Sequence, residues 1–267
     1  MNELKNVQPI PVYAGGSLAG PEVSSDKPTS GPASLIGIFF EPVRTFESFR
    51  QKPRFVLAAV LIAVAVSFTT TLIYQRVGFE NILRAQLERS ATNITPEQKE
   101  SIVALQTKPV MRVVGVISPI ISLTIAFAAG GALYLLGVLA MGASIGYRQA
   151  LSVWVYSSFP PAILTAFANI VTLFVSSPND IDVARSARGL VHANLGIFVD
   201  ATANPVLSTA VSSIDLFVIY GLVLAVFGLH KVARISLAKA AAVAGLIWFI
   251  GVVVRIGVSA ISNAPLG

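Results

Sequence analysis

The 267-residue chain is 54% apolar, 12% charged and carries a net charge of +6, with a mean hydropathy of +0.75, which leaves too little polar surface for a water-soluble exterior. It contains no cysteine, which excludes disulfides, thiolate zinc sites, iron–sulfur clusters and cysteine nucleophiles. Its two histidines, His192 and His230, lie far apart in sequence, so neither a metal site nor a cofactor is expected.

Residues 1–33 are rich in Pro, Gly, Ser and Val and lack the roughly 7–15-residue apolar core behind a basic start that marks a signal peptide. They are expected to form a disordered cytosolic tail ahead of one membrane domain, 34–267. The run Gly15–Gly20 lacks the Gly-Lys-Ser/Thr ending of a phosphate loop. In Ser34–Pro53, Pro42 suits the first turn of a helix, where its missing N–H would have had no partner. Val43, Phe46 and Phe49 then share a face, with Arg44, Glu47 and Arg50 elsewhere. This predicts a short interfacial N-terminal helix, or the same helix packed on the inner end of a bundle.

A helix needs about 20 apolar residues to cross the ~30 Å hydrocarbon core of a bilayer. Five stretches qualify: Phe55–Tyr74, Val113–Met141, Leu151–Val175, Ser208–Leu229 and Ala240–Ile261. The chain therefore reads as an all-α, polytopic membrane protein with five transmembrane helices. Between the first two spans, Phe79, Ile82, Leu83 and Leu87 give 78–90 an apolar helical face. Thr95-Pro96-Glu97-Gln98 then reads as an N-cap, a proline in the first turn and a capping box, followed by Ile102, Val103 and Leu105. Together these predict an extramembrane helical hairpin. Asn93-Ile94-Thr95 matches a glycosylation triplet, a pattern common by chance and weakened by the adjacent Pro96.

Lys and Arg near span ends orient membrane proteins. Lys231, Arg234 and Lys239 lie between the fourth and fifth spans, and no base follows the fifth. This places the N-terminus in the cytosol and the C-terminus outside. Bases at span ends also suit anionic headgroups, so the net positive charge calls for the lipid bilayer as partner and for no nucleic acid.

Four features are candidates for chemistry. Gly142-Ala143-Ser144-Ile145-Gly146 matches the G-x-S-x-G nucleophile pattern, but it sits in an inter-span turn without an evident base, so a small-residue turn explains the same letters. Pro160-Pro161 falls mid-way along the third span and strips the carbonyls of Tyr156 and Ser157 of their helical donors, which makes a kink or, in the competing reading, a cation site. Arg255 lies about 10 Å inside the fifth span, where a lone charge costs roughly 2.5–3.5 kcal/mol. Asp215, at matching depth on the expected antiparallel neighbour, is its candidate intramembrane partner. The two read as a structural pair, as groups snorkelling separately to the headgroups, or as an ion or proton site. Small residues four apart, as in Ala126/Gly130, Ala128/Ala132, Gly221/Ala225, Ala238/Ala242 and Ala241/Gly245, allow close helix approach.

The run Phe40-Glu41-Pro42-Val43-Arg44-Thr45-Phe46 followed by Lys52-Pro53 resembles the N-terminal motif of bacterial Yip-domain proteins. Gly146-Tyr147 with Tyr156 and Pro160 is similar to that family's third span. Asp215-Leu216-Phe217-Val218-Ile219-Tyr220 with Gly228-Leu229 is similar to its fourth. The resemblance covers about Ser34 to Ile261. It implies a five-span membrane protein with a cytosolic N-terminal tail, placed in the bacterial cytoplasmic membrane. Eukaryotic members associate with prenylated Rab-type GTPases in vesicle traffic, so the partners it implies are other membrane proteins or a small GTPase. It carries no catalytic residues. The expected role is thus a non-enzymatic adaptor or scaffold in membrane organisation or trafficking. The competing role is a small transporter or permease subunit using a polar site between spans 3, 4 and 5. A hydrolase would rest on Ser144 alone.

Overall fold

The computed structural model describes residues 30–89, 95–176, 190–191, 193–201, 203–262 and 264–266. Most of the expected tail, the Asn93-Ile94 pair and His192 lie outside these residues. All named elements are helices, in line with an all-α membrane protein.

Two helices open the described chain. Ser30 caps α1 (Gly31–Phe40), its Oγ accepting from the Ala33 N–H at 3.4 Å. The chain breaks at Glu41, and Pro42 opens α2 (Pro42–Gln51). Lys52 ends α2 with φ −133° and ψ 82°, because a following proline disfavours the helical conformation. The single helix expected over Ser34–Pro53 is therefore two, starting earlier, at Gly31. The second packs one face on the bundle: Thr45, Phe46 and Phe49 are buried, while Glu41, Arg44, Glu47 and Gln51 face outward. The first keeps Ile36 and Phe40 exposed, as a segment in the interface would.

The first span, α3 (Val56–Ile73), matches the expected stretch closely. It continues through a π-helical turn, Tyr74–Gly78, into α4 (Phe79–Arg89). α5 (Pro96–Gln106) starts with the predicted capping box: Thr95 Oγ1 accepts from the Gln98 N–H at 3.3 Å, and Gln98 Oε1 accepts from the Thr95 N–H at 3.0 Å. α4 and α5 pack together as the expected hairpin. Arg84 holds them, donating through Nη1 and Nη2 to the two carboxylate oxygens of Glu100 while also reaching Glu80 at 2.9 Å.

The second span is α6 (Pro109–Ala140) and the third α7 (Tyr147–Val175), joined by a tight turn in which Gly142 takes φ +79°. α7 is the central helix, with α3, α6 and a later span packed around it. Val153, Val155 and Tyr156 of α7 are fully buried, whereas Phe68, Ile125, Leu136, Phe167 and Val254 point outward. Apolar side chains on the outside of such a bundle belong against lipid.

The fourth expected span is divided. Pro205–Ser212 forms a short helix, α8, and the span itself is α9 (Leu216–Ala233). The break follows from side chains that compete with the helical backbone. Ser212 and Ser213 both donate to the Thr209 carbonyl, at 3.1 and 2.9 Å, and Asp215 caps α9. Arg234 ends α9 in the left-handed region at φ 54°. The last span is α10 (Leu237–Ser262).

Among the described residues, five helices, α3, α6, α7, α9 and α10, are long and apolar enough to span a membrane. α1, α2 and the α6–α7 and α9–α10 turns share one end of the bundle. There Lys231 pairs with Glu47 at 2.7 Å, Gln149 Nε2 donates to the Arg50 carbonyl at 2.6 Å, and Lys239 Nζ donates to the Met141 carbonyl at 3.0 Å. The hairpin, α8 and the C-terminal tail occupy the opposite end.

Candidate intramembrane site

Asp215 and Arg255 do not form an ion pair. Asp215 is the N-cap of α9: its Oδ1 accepts from the Phe217 N–H at 2.8 Å and the Val218 N–H at 3.2 Å. These donors are orphans of the first turn, and in lipid they have no water to turn to. The matched depth expected of the two residues does not arise, because no helix runs unbroken from Ser208. With the break at Ser213, Asp215 stands at the mouth of the span.

Arg255 does lie inside α10, and its Nη2 donates to the Leu266 carbonyl. The chain after α10 folds back to make this contact. Ser259 Oγ donates to the Ala264 carbonyl at 2.8 Å, and Thr209 Oγ1 accepts from the Leu266 N–H at 2.9 Å and lies 3.0 Å from Ser259 Oγ. Thr209 and Ser259 are fully buried, so this hydroxyl knot ties α8, α10 and the tail together. No carboxylate among the described residues lies within 4.0 Å of Arg255.

Pro160 and Pro161 do not unwind α7, which is helical from Tyr147 to Val175. Pro160 is buried. The Ser157 carbonyl, deprived of its donor, faces Gly221 of α9, where a Cβ would stand 3.3 Å from the oxygen. Glycine thus lets α9 cover the exposed carbonyl. Ser144 is exposed in the α6–α7 turn. His230, the histidine at that end of the bundle, is engaged through Nδ1 with the Ile235 carbonyl at 2.6 Å and does not address Ser144.

Arg255 and Pro161 nevertheless meet. Both line a cavity of about 610 Å³ between α7 and α10, with α9 packed against both walls and Tyr134 of α6 at its edge. Asp215 is not part of the lining, although its neighbours Ser213 and Phe217 are. The remaining lining is apolar, aromatic or hydroxylic, and Arg255 is its one charged side chain. Composition gave no sign of this cavity, because four helices far apart in sequence build it. One signal was legible in retrospect: Gly130 of α6, where a Cβ would fall 2.0 Å from the Trp154 ring. That glycine lets the indole lie across α6 beside Tyr134, ring centroids 4.7 Å apart, as the floor of the cavity.

A family model for the Yip1 domain matches residues 36–257 of the chain. The chain belongs to the Yip1 domain family. The matched region runs from α1 to the Arg255 turn of α10, so it includes four whole spans, most of the fifth and all the residues that line the cavity. No curated protein and no solved structure matches the chain. This Yip1 domain is an integral membrane protein by its five apolar helices.

Proposed function

We propose that the protein is a non-enzymatic membrane adaptor whose working surface is α2 and the turns beside it. The observation that supports this is the mounting of α2. Phe46 and Phe49 are fully buried, Phe49 packs tilted against Tyr156 with ring centroids 4.4 Å apart, and Lys231 clamps Glu47. A charged extramembrane helix is thereby held rigidly on the span bundle, which is how a docking platform is preorganised for a protein partner. The bases of that end, Arg44, Arg148, Arg234 and Lys239, fit a cytosolic orientation in a bacterial inner membrane, with the C-terminus outside. Other membrane proteins or a small GTPase are the partners that suit it.

The transporter reading gains one observation, the common cavity of Arg255 and Pro161. Its lining has a single charge and no ring of polar groups, which suits an apolar occupant better than a hydrated ion.

The test is purification of the full chain in mild detergent with identification of co-purifying proteins, against a variant that replaces Arg44, Gln51 and Lys52 with Glu. Partners lost in that variant support the adaptor. A reproducible absence of partners, together with solute uptake by proteoliposomes, would replace it with the transporter.

A further inference from the structure

We propose that the cleft between α7 and α10 is a binding slot for an anionic phospholipid of the surrounding bilayer. One acyl chain lies along the slot and the phosphate sits on Arg255. This goes beyond the adaptor reading, because no residue of α2 lines the slot.

The dimensions select a single chain. At 1.5 Å per residue, the lining stretches Trp154–Thr165 of α7 and Ala244–Arg255 of α10 each rise about 16 Å. That is about half of the ~30 Å hydrocarbon core, the depth of one leaflet. The cavity volume of about 610 Å³ is in the range of pockets that enclose small ligands.

The polarity of the slot runs one way. Arg255, Thr165 and Ser213 gather at the end near the C-terminal tail, and Trp154, Tyr134 and Ala244 close the other. The hydroxyls in between, Ser157 and Ser158, donate to the Trp154 carbonyl at 3.0 and 2.9 Å and offer no donor to an occupant. The charge lies at one end only, and the other end is mainly aromatic and apolar surface. An amphiphile matches both ends.

Arg255 supplies the charge complementarity. A guanidinium carries five donors, and the Leu266 carbonyl takes one. No described carboxylate neutralises it, and among the described residues the Leu266 carbonyl is the hydrogen-bond partner shown for this lining guanidinium. It stands about 10 Å below the end of α10, a depth from which a long arginine side chain reaches headgroup level. A lipid phosphate there accepts a bidentate pair of hydrogen bonds while its chain stays in hydrocarbon.

The test reconstitutes the full-length protein into phosphatidylcholine nanodiscs. Each sample contains a trace of diazirine-acyl phosphatidylglycerol or of diazirine-acyl phosphatidylcholine. Photoadducts are mapped by peptide mass spectrometry. Phosphatidylglycerol should label Trp154, Ala162 and Ile247 about ten-fold more than phosphatidylcholine, the ratio one charge-assisted contact supports. Arg255→Gln should reduce this to the phosphatidylcholine level, and Arg255→Lys should retain most of it. Ala162→Phe fills the slot and keeps Arg255, so it should abolish slot adducts of both lipids, whatever the folding of the arginine variants. Equal slot labelling by the two lipids in the wild type would overturn the proposal. So would adducts confined to outward residues such as Phe167 and Val254, or slot adducts that survive Ala162→Phe. Displacement of phosphatidylglycerol by excess inorganic phosphate would assign the site to a free anion instead.

Discussion

Replacing Gly228 by alanine tests the seating of α2, because that glycine is where three helices meet. A Cβ on Gly228 would fall 2.7 Å from Val153 Cγ1 and 2.9 Å from the Phe46 ring. Both neighbours are fully buried. Val153 is β-branched on a helix and has essentially one rotamer, and Phe46 is braced edge-on by Phe49 at 6.0 Å. Neither can give way without a backbone shift. Overpacking of this kind costs about 1–3 kcal/mol, offset by the gain of about 1 kcal/mol when alanine replaces glycine inside a helix. The expected net loss is about 0–2 kcal/mol. Gly245 provides the control, since a Cβ there meets nothing within 4 Å. Gly245→Ala should gain up to about 1 kcal/mol by the same propensity. The two variants should differ by about 1–3 kcal/mol, or roughly 2–12 °C in melting temperature for a chain of this size. Thermal unfolding of the purified proteins in one detergent, followed by tryptophan fluorescence, measures this. Val153→Ala in the Gly228→Ala background should restore part of the loss. If Gly228→Ala proves as stable as Gly245→Ala, the junction of α2, α7 and α9 is not close-packed and the rigid mounting of α2 falls with it.

Asp215→Ala should destabilise by about 0.5–2 kcal/mol through loss of the α9 cap, with Asp215→Asn nearly neutral. Combined with Arg255→Leu the losses should add within about 0.5 kcal/mol; a larger coupling in chemical denaturation would mean that the two residues share a site after all. In the hairpin, hydrogen bonds from Arg84 hold the Glu100 carboxyl below its usual range, and its own backbone N–H and Thr95 do the same for Glu97. A depressed folded pKa gives stability that is complete above the unfolded value and lost as pH falls through the folded one. Nitroxide distances between Glu88 and Ala104 should therefore broaden between neutral pH and roughly pH 3, and Glu100→Gln should show part of that broadening at neutral pH. An acid-insensitive distance would remove Arg84 as the clasp. Reporter fusions should place Ala238 in the cytosol and Thr95 outside; the reverse would invert the orientation. A fluorophosphonate probe should leave Ser144 unlabelled, whereas a covalent adduct there would revive the hydrolase.

Much of this protein was legible without coordinates because its information is local. The hydrocarbon core demands long apolar helices, so the five spans stand out by length alone, and α3 begins and ends within a residue of expectation. The Thr95 capping box and the Pro42 helix start are equally local, since their donors and acceptors sit within four residues. Family membership also follows from short motifs in order along the chain. The tertiary structure decided what depends on neighbours. Whether Phe46 and Phe49 met lipid or protein turned on α7 and α9, because an amphipathic helix reads the same in either setting. The fate of Asp215 turned on a break at Ser213, where serine and aspartate side chains outcompeted the backbone ladder; apolarity alone cannot mark that point. The cavity is the extreme case. Its polar end takes Thr165 from α7, Ser213 from the α8–α9 turn and Arg255 from α10, and a void is a property of the space between helices, which no single helix carries in its letters.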